Sequence, residues 1–426
     1  MANNTSSNIS QIVLKKFLKP WENDLVLCKT VDRQVVSDGD INPSTGDTIW
    51  VKRPHSYKSS RTADGDLTSE TKSSIISGKA PAVVQDYITV AMEYSQLEQA
   101  IKLNQLEEIL APARQRIVTD LETSFANFVK NNASHQLGAA GTQLSKWSDV
   151  AQTSAFMSAF GMPKDKANWY AVINPFAASA LADAQGGLAG NSGDLVTSAW
   201  TDAMISKSFG GVNALTSDSL STHVNGNADF ATAVVASAPD QTYVTGKDTW
   251  KMVLPLSGLD ATGTINVGDQ VAIAGVYWLN QQTKDIIIGA DGNPIPFTGT
   301  VSVGGTASGG VLSITVTAPA FFEAEGQYNA VASAIAGGEV VTRVSGTAGQ
   351  TVQPNLFYHK QAFGLCTVQL PKLDSIDSAV GNLDGFSIRV HRYSDGDRNV
   401  QMVRFDLLPA FASYNSMLAG RFSGNA

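Results

Sequence analysis

The segment between Asn225 and Val352 has a different pattern from the rest of the chain, and this most constrains the fold. Its predicted strands are short and follow one another closely: Trp250–Leu254, Thr264–Ala274, Val276–Leu279, Asp285–Ile288, Phe297–Val303, Val311–Thr317 and Glu339–Val344. Turn clusters such as the Asp-Gly-Asn-Pro run at 291–294 separate them. Many short strands with frequent turn signals are typical of a small barrel or sandwich.

Charge marks the same segment. It contains four basic residues against ten acidic ones, a net charge of −6, while the whole 426-residue chain carries −8. The rest of the chain is therefore nearly neutral and has a mixed α and β pattern on both sides of the segment. We predict an all-β domain inserted into an α+β domain.

The chain is poor in charge for its length. Charged residues make up 16% of it and hydrophobic residues 43%, whereas an average soluble protein has about 25% charged residues. The hydrophobic content is sufficient for a folded core. A surface with so few charges is expected to lie largely against neighbouring molecules, and the acidic total gives no indication of sequence-specific nucleic-acid binding.

Targeting signals and cysteine usage favour a reduced compartment without membrane insertion. The first ten residues show no basic region followed by an apolar one, so we expect no secretory signal. No apolar run reaches the ~18 residues that a membrane-spanning helix needs. Cys28 and Cys366 lie far apart in apolar runs, which predicts buried, reduced thiols.

The N-terminal region predicts an arm followed by a long hairpin. Apolar residues recur at helical spacing between Asn8 and Leu18, beside three lysines, and Pro20 ends the pattern. Such an amphipathic arm folds back on its own domain or lies on a neighbouring subunit, and the sequence leaves both open. Two extended runs, Asp47–Tyr57 and Ala82–Glu93, then flank a polar stretch, which predicts a long hairpin with a polar tip.

The hairpin tip supplies the candidate site residues. It carries charges of both signs and almost no large apolar side chain, so it can act only on solvent or on another subunit. The candidates for inter-subunit contact are Lys58, Arg61, Asp64, Asp66 and Glu70.

The remaining elements are typical of an α+β protein. Pro112 is predicted to start a helix to Lys130 that is about 30 Å long, with a separate helix before it at Gln96–Leu110. The apolar face of the helix from Pro112 to Lys130 would contain Ile117, Leu121, Phe125 and Phe128. The other predicted helices are Ser145–Phe160, Pro175–Asp183 and Leu195–Ile205. The other predicted strands are Trp169–Ile173, Gly364–Leu370 and a final hairpin of Phe386–Tyr393 and Val400–Leu408.

Sequence motifs for catalysis or metal binding are missing. There is no H-E-x-x-H, paired C-x-x-C, G-x-S-x-G or Walker A pattern, and the five histidines lack metal-ligand spacing. Asp395, Asp397 and Asn399 are explained by a hairpin turn better than by a calcium loop. We therefore predict no catalytic residue, no metal and no cofactor.

Four stretches resemble one family, the coat proteins of short-tailed Salmonella phages. They are GDTIWVKRP at 46–54, ILAPARQRIVTDLE at 109–122, VGDQVAIAGVYWLN at 267–280 and PNLFYHKQAFGLCTVQLPKL at 354–373. The third stretch lies inside the β-rich segment and discriminates best, because a generic coat protein of tailed double-stranded DNA phages lacks that segment. The order of predicted elements is similar to that of the family over nearly the whole chain.

The resemblance implies the Hong Kong-97 type fold with an inserted telokin-like β-barrel. In that frame the domains are an N-terminal arm (1–45), an E-loop (46–96), a peripheral domain (97–141 and 385–426), an axial domain (142–224 and 353–384) and the barrel (225–352). The helix at 112–130 is the spine of the peripheral domain, and the E-loop reaches over an adjacent subunit.

The implied function is that of a major capsid protein of the virion, assembled in the host cytoplasm. Its implied partners are copies of itself in hexamers and pentamers, a scaffolding protein, a portal protein and non-specifically packaged double-stranded DNA, without a membrane. Three alternatives remain open at this point: a secreted β-rich adhesin or glycan-binding protein, a bacterial nanocompartment shell subunit, and a hydrolase with a dispersed site.

Overall fold

The computed structural model describes residues 13–14, 17–18, 25–36, 48–53, 55–57, 59, 61–68, 72–95, 106–187, 208–324, 326–372, 377–383, 385–395 and 400–425. The chain is α+β there, and strands outnumber helices. It divides into two compact units. The first comprises Met1–Trp50, Pro81–Ala126 and Phe363–Ser413, and the second Val51–Ala80, Asn127–Ala362 and Tyr414–Ala426.

The elements are numbered in chain order. The α-helices are α1 (Leu106–Asn132), α2 (Trp147–Phe160), α3 (Pro175–Gly187) and α4 (Tyr243–Gly246). The strands before the β-rich segment are β1 (Asp32–Val36), β2 (Thr48–Lys52), β3 (Lys79–Val84), β4 (Ile88–Ser95), β5 (His135–Leu137), β6 (Trp169–Ile173), β7 (Ser208–Phe209), β8 (Val212–Thr216) and β9 (His223–Val224). Those within it are β10 (Val234–Val235), β11 (Lys251–Ser257), β12 (Thr264–Ile265), β13 (Gln270–Tyr277), β14 (Pro296–Val303), β15 (Gly305–Thr306), β16 (Leu312–Thr317), β17 (Val341–Arg343) and β18 (Thr351–Val352). Those after it are β19 (Asn355–His359), β20 (Phe363–Val368), β21 (Asp377–Leu383), β22 (Phe386–Asp395), β23 (Val400–Leu407), β24 (Pro409–Ser413) and β25 (Ala419–Phe422).

Two sheets form around the first unit. One has the strand order β1-β20-β24-β3-β2, and the other has the order β21-β22-β23-β4. The predicted C-terminal hairpin is confirmed as β22 and β23, which pair from Ile388 opposite Leu407 to Asp395 opposite Val400. The predicted single run Ala82–Glu93 is wrong in one respect, because it is two strands in different sheets. Just after β3, the backbone N–H of Gln85 donates to the Pro409 carbonyl at 2.8 Å. Strand β4 then begins at Ile88 and pairs with β23.

Helix α1 begins before Pro112, so the predicted start at Pro112 is wrong. The helix already includes Leu106, so Pro112 lies inside it and not in its first turn. A proline inside a helix removes one backbone hydrogen bond and crowds the preceding turn. The surrounding Glu, Leu, Ala and Arg residues are strong helix formers, and they continue the helix across this position. Ile117, Leu121 and Phe125 of its predicted apolar face are buried, whereas Phe128 is half-buried.

The described part of the N-terminal arm packs on its own unit. Val13, Leu14, Phe17 and Leu18 are helical and buried. The Phe17 ring stacks on Phe405 of β23 with centroids 4.3 Å apart. These four residues of the arm thus lie on the chain's own first unit.

The second unit contains a mixed sheet of order β5-β25-β19-β6-β8-β7, with helix α2 in contact with it. Strand β6 occupies the predicted range, and α2 starts two residues after its predicted start. The α2 side chains Phe156 and Phe160 each lie 4.7 Å from the buried His135 ring, centroid to centroid. Trp278 of the β-rich segment completes this aromatic cluster at 5.1 Å from His135.

The β-rich segment forms a six-stranded sheet of order β10-β11-β16-β14-β13-β17. Burial alternates along β11, where Met252, Leu254 and Leu256 point inward. The two edge strands also meet, because the Val235 N–H donates to Glu339 at 2.9 Å and the Val341 N–H donates to Ala233 at 2.9 Å. Backbone hydrogen bonds therefore close the sheet into a ring, which leaves it no open edge.

The two ends of the β-rich segment lie side by side. Strand β9 pairs with β18, with Val352 opposite His223. The buried Asp269 carboxylate lies 2.8 Å from Nε2 of His223 and accepts the Gly226 N–H. The entry and exit of this segment thus meet close to the predicted borders at 225 and 352.

Three further predicted elements lie wholly or mostly outside the described residues. These are most of the helix Gln96–Leu110, the helix Leu195–Ile205 and most of the turn that contains Asp397 and Asn399. The predicted single strand Thr264–Ala274 is wrong, because it is two strands in different sheets, β12 and β13, and β13 continues to Tyr277. The predicted run Asp47–Tyr57 is also too long, because β2 ends at Lys52. Among the described residues, the other predicted strands match observed strands or bridges within a few residues. Cys28 and Cys366 are both buried and free, as predicted.

Candidate inter-subunit contact site

The candidate site is the hairpin between β2 and β3. These strands are neighbours in the five-stranded sheet. The pairing continues one step past β2, where the Arg53 N–H donates to Gly78 at 2.9 Å. Beyond this step the described residues belong to no strand, and nearly all of those from His55 to Thr68 are exposed. The hairpin therefore has a paired base and a solvent-exposed tip.

Three of the five predicted contact residues are described, and all three are exposed. Arg61, Asp64 and Asp66 lie in the tip. Lys58 and Glu70 lie outside the described residues. Within the described part of the chain Arg61 has no ion pair. Its guanidinium group therefore remains available to a partner.

The two aspartates shape the tip through consecutive turns. The Asp64 carboxylate accepts the Asp66 N–H at 3.1 Å, and the Asp66 carboxylate accepts the Thr68 N–H at 2.9 Å. These side-chain turns give local hydrogen bonds to a loop whose described residues are nearly all exposed. Hydrogen bonds from the Thr68 side chain and backbone hold the pKa of Asp66 below its ordinary value, so this carboxylate remains negative in weakly acidic solution.

Sequence reasoning missed the most important residue of the base, Arg53. It is only 4% exposed although it is charged. Its Nε donates to the Lys79 carbonyl at 3.2 Å, and its Nη1 donates to the Tyr414 carbonyl. Its guanidinium carbon lies 4.6 Å from the ring centre of Trp250. The only sequence signal was a charged residue directly after a strand, which ordinarily indicates an exposed strand end.

Neither a metal-ligand cluster nor a membrane-crossing helix occurs among the described residues. Nowhere in the described ranges do three or more His, Cys, Asp or Glu side chains come together as metal ligands would. Helices long and apolar enough to cross a membrane are also missing from the part of the chain that is described. The described part of the hairpin tip offers exposed charged groups and side-chain hydrogen bonds.

Residues 1–424 match the family model described as P22 coat protein, gene protein 5. The chain belongs to this family of phage coat proteins. The resemblance predicted from the sequence is thereby confirmed.

A curated relative agrees with the family match. The chain is 48% identical over 429 residues to the major capsid protein of Acyrthosiphon pisum secondary endosymbiont phage 1, and the alignment covers 100% of both chains. The protein is therefore the major capsid protein of a phage, and its place is the virion shell. The adhesin, nanocompartment and hydrolase alternatives have no support from these relatives.

Solved capsid structures are also similar, at low sequence identity. The capsid of Cyanophage P-SCSP1u matches with 10% identity and a TM-score of 0.42, covering 93% of this chain and 87% of that chain. The mature capsid of bacteriophage PhiM1 matches with 10% identity and a TM-score of 0.42, covering 91% of this chain and 84% of that chain.

Proposed function

We propose that the subunit closes an icosahedral shell by extending its hairpin tip onto a neighbouring subunit. The observation that carries this proposal is the exposed, charged tip above a buried, hydrogen-bonded base. An exposed ion pair contributes only about 0–1 kcal/mol. Repeated around a shell whose subunits each have many neighbours, such small terms add through effective concentration.

The experiment compares charge reversal at the tip with a matched reversal elsewhere. Arg61→Glu and Asp66→Lys should lower the yield of particles, measured by sedimentation and electron microscopy, and leave subunit melting nearly unchanged. Raised salt should weaken wild-type shells in the same direction by screening these charges.

The control is Asp291→Lys. Asp291 is also exposed and also accepts the N–H two residues ahead, from Asn293 at 3.1 Å. It therefore repeats the local chemistry of Asp66 at another place. The proposal predicts normal assembly for this control. Tip variants that melt at lower temperature yet assemble normally would show that the tip belongs to the fold.

We also propose that residues 225–352 form an inserted domain that is β-rich and not all-β, because it contains the short helix α4. The remaining domain borders stay a prediction from the sequence. The closed six-stranded ring and the adjacent chain ends support this proposal. Expressed alone, the segment should give a β-type circular dichroism spectrum and melt cooperatively. An unstructured spectrum would refute its autonomy.

We propose a purely structural role, with a scaffolding protein, a portal protein and packaged double-stranded DNA as partners. The family resemblance supports the protein partners, and the lack of a concentrated basic stripe in the sequence supports non-specific DNA contact. A competition assay at about 0.15 M salt should show no preference among DNA sequences. A clear preference would contradict this part of the proposal.

A further inference from the structure

The base of the hairpin is held by one loop of the β-rich segment, which contains α4 and ends at Trp250. We name residues 243–250 the clamp loop. Both the clamp loop and residues 51–80 of the hairpin belong to the second compact unit. The clamp loop contacts both arms of the hairpin.

The first arm is held through Arg53. Its guanidinium group faces the Trp250 ring at 4.6 Å and donates to the carbonyls of Lys79 and Tyr414. A planar arginine side chain stacks on an aromatic ring and binds two acceptors at the same time, which a lysine does less well. Burial lowers the pKa of Arg53 to about 10, so it remains charged at neutral pH.

The second arm is held through Gly78 and Lys79. The Lys79 N–H donates to the Asp248 carboxylate at 3.0 Å. Gly78 lies so close to the clamp loop that a Cβ there would be 2.7 Å from the Lys247 carbonyl oxygen. Any larger residue at 78 would push the hairpin away from the loop.

Further along the same arm, two side chains of the β-rich segment bind the hairpin backbone. Gln327 donates to the Ser74 carbonyl at 2.7 Å, and the Tyr328 hydroxyl donates to the Ile76 carbonyl at 3.3 Å. Backbone carbonyls outside a sheet need such partners. These bonds extend the contact from the base toward the tip.

The clamp loop is itself rigidly packed. The rings of Tyr243 and Tyr328 stack with centroids 3.5 Å apart, and Phe321 lies 5.2 Å from both Tyr243 and Trp250. Trp250 has a backbone φ of +54°, which is unfavourable for a residue with a side chain. Strained backbone of this kind persists only where the surroundings impose it, and it often marks a functional position.

We propose that the clamp loop sets the direction of the hairpin, so that Arg53, Trp250 and Asp248 are positioning residues for the charged tip. The described residues between Arg53 and Gly78 belong to no strand, so the pairing of β2 with β3 does not by itself set the direction of the tip. The biological role of the clamp loop rests on the proposed function. Its test does not, because the direction of the tip can be measured in the isolated subunit.

The test measures the distance between the tip and the β-rich segment. Spin labels are placed on cysteines introduced at the exposed residues Ala63 and Val253, while the native Cys28 and Cys366 are buried. Pulsed electron resonance should give a narrow distance distribution in the parent subunit. Arg53→Met should broaden it, since the ring stacking and both carbonyl bonds need the guanidinium group.

The matched control is Arg343→Met. Arg343 also lies over an aromatic ring, Phe230, at 4.7 Å, and also donates to a carbonyl, that of Ala228 at 3.0 Å. Within the described residues it contacts Phe230, Ala228 and Asp269, none of which lies in the hairpin. The Arg343→Met variant should leave the distance distribution narrow, even where it lowers the free energy of unfolding.

A second variant guards against misfolding of Arg53→Met. Asp248 is part-exposed, so Asp248→Ala should fold. Hydrogen exchange at the Lys79 amide should accelerate about tenfold, the factor that corresponds to one net hydrogen bond.

An unchanged distance distribution in Arg53→Met, or unchanged exchange in Asp248→Ala, would overturn the clamp. A broadened distribution together with normal shell assembly would leave the clamp standing and contradict the proposed role of the tip.

Discussion

Glu122 in helix α1 accepts a hydrogen bond from the backbone N–H of Cys28 at 2.9 Å, across 94 residues of sequence. The same carboxylate accepts the N–H groups of Val26 at 3.0 Å and Leu27 at 2.9 Å. Burial raises the pKa of Glu122, and these hydrogen bonds oppose that shift. One buried carboxylate therefore attaches the turn at 26–28 to the long helix of the first unit.

We predict that Glu122→Ala destabilises the subunit strongly. Three backbone N–H groups would lose their acceptor, and each buried unsatisfied donor costs about 1–3 kcal/mol. The free energy of unfolding, measured in urea, should fall by at least about 3 kcal/mol. Asp120→Ala changes an exposed residue of the same helix and should stay within about 0.5 kcal/mol of wild type. Equal effects of the two changes would contradict this role of Glu122.

A second buried carboxylate, Asp406, lies on the sheet of β21 to β23 and β4. Its carboxylate accepts hydrogen bonds from Nη2 of Arg389 at 2.8 Å, from Nε of Arg404 at 2.6 Å and from the Thr89 hydroxyl at 2.9 Å. Nδ1 of His391 lies 3.5 Å away. Burial alone would raise the pKa of Asp406, but the hydrogen bonds outweigh it and hold the pKa below its ordinary value of 3.8.

Asp406→Asn should therefore cost about 3–5 kcal/mol at neutral pH, because it leaves the buried guanidinium group of Arg389 without its counterion. A lowered pKa stabilises the fold above pH 3.8, and this contribution is lost as the pH falls through the lower folded value. The difference in free energy of unfolding between Asp406→Asn and wild type should therefore become smaller as the pH falls. Asp377→Asn is the control, since its contact with Arg392 is longer, 3.5 Å, and more exposed. It should cost about 1 kcal/mol or less.

The buried His135 should make the free energy of unfolding decrease as the pH falls. It is buried in the aromatic cluster beside α2, with Nε2 2.9 Å from the Met417 carbonyl. Burial lowers its pKa to about 4. The unfolded chain therefore binds this proton more readily, and stability should fall as the pH drops from about 6.5 to 4, by up to about 3 kcal/mol.

The measurement compares wild type with His135→Phe by urea unfolding at several pH values. The buried histidines at 359 and 391 remain in both proteins, so their contributions cancel in the difference. The variant should lose less stability between pH 7 and pH 4. Parallel curves for the two proteins would show that His135 does not titrate in this range.

Phe17 tests whether the arm belongs to its own subunit. It is buried and stacks on Phe405. Phe17→Ala should lower the free energy of unfolding of the isolated subunit by about 3–5 kcal/mol, through lost burial and a cavity. Phe176→Ala, at a ring that is 79% exposed, should have little effect. If Phe17→Ala spares the isolated subunit, the arm does not pack as described here.

Local patterns in the sequence predicted most of the secondary structure. Strand β6 was predicted residue for residue, and β14 and α2 were within two residues, because alternation and helical spacing are local properties. The abrupt change at 225 also marked where the β-rich segment begins. The helix at Pro112 was placed wrongly because a proline signal cannot show that the neighbouring residues continue the helix.

The sequence by itself thus determined the element types, the β-rich segment, the absence of catalytic motifs and the family. Only the tertiary structure decided which charged residues are buried. Glu122 and Arg53 look like surface residues in the sequence, because the groups that satisfy them lie far away: Arg53 binds the Tyr414 carbonyl 361 residues later. Burial of a charge depends on partners brought together by the whole fold, so no local pattern reveals it.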